Sequence, residues 1–255
     1  MIRGLPAEFR QYSNTLCLKS KFMRFGHTNA YVYNNVLCSF SLKRHNDKTF
    51  TLEFGVRPLC DNIFGVWIGD YTIDQLSSDQ YVGALDMAGL VPYITEELVP
   101  FFEKAENTKR AQEALIQIIT KMNDARLSCL SKENIEDCGW PIEKQIYNTS
   151  SVFFCAMKSL DFETMEKCLS YKIPFWEDII EGLYRDYLRY RCSDQNRRYA
   201  DLMLVKMQKA KKEKEYYERV LAHVRGRDTK FFQDEVNRRE QISRTNLPQR
   251  IWSTS

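Results

Sequence analysis

Between Val36 and Arg57 apolar and polar residues alternate with a period of two. Val36, Cys38, Phe40 and Leu42 share one parity, and Phe50, Leu52, Phe54 and Val56 share one in the run that follows. Successive side chains of a strand point to opposite faces. Each run therefore predicts a strand with one apolar face and one half-polar face, the latter carrying Ser39, Ser41, Lys43, Thr51, Glu53 and Arg57. His45-Asn46-Asp47 between them has turn chemistry, because Asn and Asp tolerate left-handed backbone and bond to their own chain. The two runs make a hairpin whose register the pattern leaves open. Shorter runs at Phe22–Phe25 and Ala30–Tyr33 predict strands ahead of it, and IFGVWIGDYT predicts one after the loop at Pro58–Asn62. Residues 6–20 read as an opening helix with Phe9, Tyr12 and Leu16 on one stripe.

From about Ser77 the period shifts toward 3.6. Thr95-Glu96-Glu97-Leu98 predicts a helix start with Thr95 as its cap. RAQEALIQIITKMNDARL places Ala111, Leu115, Ile118, Ile119 and Met122 on one face. IEKQIYNTSSVFFCAMKSL reads as one helix, followed by a turn at Leu160-Asp161 and a second helix that ends before Pro174. Val152, Cys155, Ala156, Leu160, Met165, Cys168 and Leu169 form the seam of this pair. Trp176–Arg191 reads as a separate amphipathic helix, Asp201–Val224 as a long one, and Phe231-Phe232 as the border of a last charged segment. The tail from Ser243 to Ser255 has no core to join. The expected fold class is α+β: an N-terminal antiparallel sheet with packed helices in residues 1–76, and an all-helical C-terminal half in residues 77–255 packed on or following it.

A hydrophobic content of 44% and an aromatic content of 13% are those of a folded protein. Charge is unevenly spread. Arg185 to Arg250 holds 18 Lys and Arg against 10 Asp and Glu, a net of +8, which leaves 19 against 24, or −5, for the rest. The C-terminal quarter is the basic pole. The eight cysteines lie far apart with no C-x-x-C, and Cys38, Cys155 and Cys168 fall at core positions, so reduced thiols in a cytoplasmic protein are expected. MIRGLPAEFRQYSN holds no apolar run of a signal peptide, and no stretch is long enough to span a bilayer.

The stretch KFMRFGHTNAYVYNNVLCSFSLKRHNDKTFTLEFGVRPLC resembles the DUF4304 family of bacterial proteins of unknown function. Members have a helix, a short strand and a longer strand ending in an LG or FG pair, features that fall here on Val36–Lys43 and Thr49–Gly55. FFCAMKSLDFETMEKCLSYKI is similar to the helix pair that often follows. The resemblance covers residues 1–175, implies an α+β fold and carries over no catalytic residue. The basic C-terminal helices lie outside it.

Catalytic chemistry finds little purchase. There is no G-x-S-x-G elbow, Walker loop, H-E-x-x-H or kinase set, and Gly65 and Gly69 lack the spacing and the following Lys of a phosphate loop. The carboxylate pairs Glu96-Glu97, Asp178 with Glu181, and Asp234-Glu235 fit solvated helix faces. His27 and His45, both in predicted turns, could meet Cys60 and Asp61 in a loop-assembled enzyme site, with Cys60 the cysteine least obviously buried. No cofactor and no metal site are expected.

The basic pole is the one functional signal. Arg197, Arg198, Lys206, Lys209, Lys211, Lys212 and Lys214 are the candidate nucleic-acid-binding residues, interleaved with tyrosines that include Tyr184, Tyr187, Tyr190, Tyr199, Tyr216 and Tyr217. Cations contact phosphate and tyrosines stack on bases. The competing reading is a solvated helix face, with Glu213, Glu215 and Glu218 pairing with the lysines and the tyrosines in a packed stripe. The expected role is a non-enzymatic binding protein with a protein partner or self-association, nucleic acid being the alternative. A sheet face carrying Tyr31, Tyr33, Phe40, Phe54, Trp67 and Tyr71 is the expected docking surface.

Overall fold

The computed structural model describes residues 5–19, 21–25, 28–44, 50–61, 71–72, 91–105, 107–128, 141–191 and 196–252. The opening helix α1 (Leu5–Lys19) leads into strands β1 (Met23–Phe25), β2 (Thr28–Tyr33), β3 (Val36–Arg44), β4 (Phe50–Pro58) and β5 (Tyr71–Thr72). These form an antiparallel meander in sequence order. The β3–β4 register sets Cys38 opposite Val56, Phe40 opposite Phe54 and Leu42 opposite Leu52, so the two apolar parities lie on one face as the pattern requires. Between β2 and β3 the turn is only Asn34-Asn35, both at positive φ (46° and 64°), a tight reversal that Asn tolerates better than most residues.

The half-polar face is not solvated. Ser39, Ser41 and Glu53 are buried, and Ala30, Val32, Leu37 and Leu59 on this side form a second small core with Leu247, Ile251 and the half-buried Trp252. The C-terminal tail, expected to have no core, supplies its cover: Ile251 closes a short 3-10 turn (Gln249–Ile251), and Trp252 bridges in parallel to Val32. A sheet with two covered faces is the physical reason, since three apolar residues within six positions of the tail satisfy the side that the helices leave open.

On the first face, Phe40 sits among Phe9, Phe22 and Phe102, with ring centres 6.4, 5.2 and 6.4 Å away. Tyr31, Phe40 and Phe54 are thus core residues, and the expected docking face is closed by helices. Only Tyr33 of that set is half-buried, with Lys21 over its ring. Trp67 and the side chain of Tyr71 lie outside the described residues. Phe102 belongs to α2 (Val99–Lys104), which continues a wide turn at Tyr93–Leu98. Thr95 lies within the wide-turn segment Tyr93–Leu98 rather than capping a helix, and its hydroxyl donates to the carbonyls of Val91 and Pro92.

The remaining helices are α3 (Thr108–Ser128), α4 (Ile142–Asn148), α5 (Ser150–Ser159), α6 (Phe162–Arg191), α7 (Arg197–Arg225) and α8 (Thr229–Asn246). Two differ from expectation. The run from Ile142 to Ser159 is broken at Thr149, whose backbone is extended and whose hydroxyl turns back to the Gln145 carbonyl, so α5 starts afresh with Thr149 at its N-cap position. Conversely, Pro174 does not end a helix: α6 runs through it. Pro174 and Ser170, whose carbonyl loses its amide partner, are both exposed, so water can satisfy that carbonyl. Packing on α7 along both halves holds the helix together.

α5 is the centre of the helical layer. Every residue from Ser151 to Met157 is buried, between α3, α6, α8 and β4. Leu160, at φ 56°, ends it, and the Asp161 amide bonds to the Ala156 carbonyl, reversing the chain into α6. Of the predicted seam, Val152, Cys155, Ala156, Met165, Cys168 and Leu169 are buried, and Leu160, in the reversal itself, is half-buried. One hydrophobic cluster takes in Phe9 of α1, the sheet and Val236 of α8.

Candidate binding cleft at the root of a helical arm

α6 and α7 pair along their length as an antiparallel hairpin, 30 and 29 residues long, or about 45 Å at 1.5 Å per residue. The buried residues of α6 are Met165, Cys168, Leu169 and Lys172, and none is buried from Ile173 to Arg191. The hairpin is anchored at its root and exposed beyond it. Among the described residues the exposed large apolar side chains are Met23, Ile179, Tyr184, Tyr199, Leu202 and Val205. All except Met23 are on the outer part of this arm. A helix that leaves isoleucine, leucine and valine in water gains no burial energy from them.

At the root lies a cleft of about 770 Å³ between the hairpin, α5, α8 and the turn after β4. Trp176, Ile179 and Leu183 of α6 face Lys206, Lys209, Ala210 and Glu213 of α7 across it. Residues 199, 202, 206, 209 and 213 recur at helical spacing, so Tyr199 and Leu202 extend the same face toward the tip. The inner wall is a locked polar cluster. Arg239, 6% exposed, is held between the rings of Phe154 and Tyr216, its guanidinium carbon 4.8 and 4.9 Å from their centres. Its Nε donates to Glu235 Oε1 at 2.6 Å, and the Tyr216 hydroxyl donates to the same carboxylate. Asp61 is buried, paired with Arg57 at 3.1 Å, and accepts from the Ser151 hydroxyl.

Burial governs the titrating groups here. It pushes the Tyr216 and Tyr217 phenols up and the Lys172 amine down. It would also raise the Glu235 carboxyl, but hydrogen bonds from Arg238 and Arg239 bring it below the ordinary range. Glu235 is therefore a structural ion-pair partner and not the solvated acid expected.

The structure separates the seven basic candidates. Lys206 and Lys209 line the cleft. Arg197 and Arg198 are exposed in the first turn of α7 at the far end of the arm. Lys211 is exposed about half a turn away from the cleft-facing lysines, and Lys212 is exposed beside them. Lys214 is paired with Glu177 across the hairpin at 2.9 Å and with Glu218 at 3.2 Å. Tyr217 is core and Tyr216 mostly so, whereas Tyr184 and Tyr199 are exposed.

The loop-assembled enzyme site changes too. His27 and His45 lie outside the described residues. Cys60, expected to be the most accessible thiol, is fully buried. Burial pushes its pKa well up, and its thiol donates to the Phe154 carbonyl. A buried thiol held neutral is a poor nucleophile. Among the described residues no group of His, Cys, Asp and Glu is placed to hold a metal, and no helix is long and apolar enough to cross a membrane.

Arg239 of the cleft and Lys172 beside it were not among the residues singled out from the sequence. The signal for Lys172 was present, since it continues the stripe of Met165, Cys168 and Leu169 and precedes Trp176. Arg239 likewise continues the stripe of Phe232 and Val236, whereas Arg238 lies off it and is exposed. No protein-family model matches the chain and neither a curated protein nor a solved structure is similar to it, so the resemblance to the DUF4304 family rests on the sequence pattern alone.

Proposed function

We propose that this is a non-enzymatic cytoplasmic binding protein whose α6–α7 arm receives an amphipathic helix of a protein partner. The observation that carries the reading is the run of exposed apolar residues on the arm: Ile179 in the cleft wall, Tyr199 and Leu202 on the face of α7 that continues it, and Val205 beside them. Two antiparallel helices with an apolar face between them are two-thirds of a three-helix bundle, and a third helix buries that face with ordinary ridge-in-groove packing. Lys206 and Lys209 beside the groove and Arg197 and Arg198 at its outer end favour acidic flanks on the incoming helix.

The test uses the full chain as bait, with a photoreactive residue at position 205 and, as a control, at position 219. The expected result is a partner crosslinked through position 205 by an acidic, helical segment. Leu202→Glu with Val205→Glu abolishes capture, and Lys211→Glu with Lys212→Glu spares it. Capture that ignores the arm substitutions sinks the reading. The nucleic-acid alternative makes the opposite forecast: salt-sensitive retention on single-stranded DNA or RNA that is lost when Lys209, Lys211, Lys212 and Lys214 become Glu.

A further inference from the structure

Lys172 is the charged group that neither the fold nor the arm accounts for. Its side chain is buried, 4% exposed, where α6 packs on α7. Nζ donates to the Asn148 carbonyl at 2.7 Å and lies 6.0 and 5.6 Å from the ring centres of Phe153 and Tyr217. One carbonyl and two ring faces do not supply the full counter-charge that a buried ammonium needs. Asp61 and Glu213 act on it only through space, and among the described residues no carboxylate forms an ion pair with it. Lys172 also lines a cavity of about 340 Å³ whose wall includes the polar side chains of Asn148 and Ser150. This cavity shares Ser150, Trp176 and Tyr217 with the larger cleft, so the two open side by side.

We propose that the chamber is a binding site for an aromatic oxyanion, a carboxylate or a phosphomonoester, whose head group is the counter-ion of Lys172 and whose ring lies along Trp176 and Tyr217. Charge-assisted hydrogen bonds from the ammonium to the anion are the strong kind. The aromatic wall holds the body, as in other pockets that are apolar with a few convergent polar groups. Burial disfavours the protonated amine, and a bound anion opposes that bias. The site is independent of the partner helix and stands if that reading falls.

The experiment is calorimetric titration of the full chain with benzoate and phenyl phosphate, with benzyl alcohol and inorganic phosphate as controls, at millimolar concentrations. At least one aromatic anion is expected to bind saturably and raise the melting temperature, and benzyl alcohol to do neither. The stronger of the two anions identifies the head group. Lys172→Met, which removes the charge and keeps the bulk, is expected to weaken binding about tenfold or more while melting no lower than the wild type. Should that variant fail to fold, Lys172→Gln is measured in its place. Absence of saturable binding by both aromatic anions, equal affinity in wild type and variant, or binding of inorganic phosphate alone overturns the proposal.

Discussion

The sheet and the arm are both rich in aromatic residues and meet opposite fates. Phe40 and Phe54 are wholly buried between α1, α2 and the helical layer, whereas Tyr184 and Tyr199 are 48% and 57% exposed on a hairpin that rests on the body only at its root. The difference lies in what surrounds each element. A strand in the middle of a meander has neighbours on both edges and covers on both faces, so its side chains have no route to water. A helix paired with one other helix buries a single stripe and leaves the rest outside. Aromatic density therefore reports stability in the first region and availability in the second.

Substitutions can break or sharpen that contrast. Phe40→Ala removes a ring packed on three others and is expected to cost about 3–5 kcal/mol in denaturant unfolding. Ile251→Ala tests whether the tail truly closes the second face of the sheet, with an expected cost of about 2–4 kcal/mol; no loss would return the tail to the surface. Asp161→Ala removes a carboxylate that accepts from the Thr164 amide at the start of α6 and from the Gln112 side chain, and should cost about 1 kcal/mol. Burial alone would raise the Asp161 carboxyl, but these bonds hold it below its ordinary 3.8. Its contribution is present above that value and is lost as pH falls through the lower folded value, so the gap between wild type and variant should close in acid. Tyr199→Ala and Leu202→Ala on the arm should shift stability by no more than about 0.5 kcal/mol. A larger loss would mean that the arm is packed, and would remove the ground for calling it a contact surface.

Much of the fold was legible. The alternation at Val36–Val56 named the central hairpin and the face it buries, and the seam residues from Val152 to Leu169 identified the helix reversal at Leu160. The misreadings share a cause. The expected helix ran straight through Thr149 and stopped before Pro174, and each outcome was decided by what packs around it. At Thr149 the helix breaks and α5, unlike α4, reaches α8 and β4 as well as the α3 and α6 that both touch, and at Pro174 it continues because α7 supports both halves of α6. Of the candidate site, Lys206 and Lys209 were named from sequence. Arg239, and Lys172 beside the cleft, were not: each continues an apolar stripe, but a charged residue on a stripe is enclosed only when neighbouring elements close over it.

The amino-acid sequence by itself determined the local menu: period two for the strands, period near 3.6 for the helices, left-handed turns at asparagine and a basic C-terminal quarter. These follow from backbone sterics and from the spacing of side chains along one element. Only the tertiary structure decided which of the similar residues are sealed in and which stand in water. It buried Ser39, Ser41 and Glu53, laid the tail over Val32 and Leu37, closed the aromatic sheet face, opened the cleft beside Trp176 and left Lys172 enclosed at the edge of a cavity. Enclosure depends on residues far apart in the chain, and no window along one element contains them.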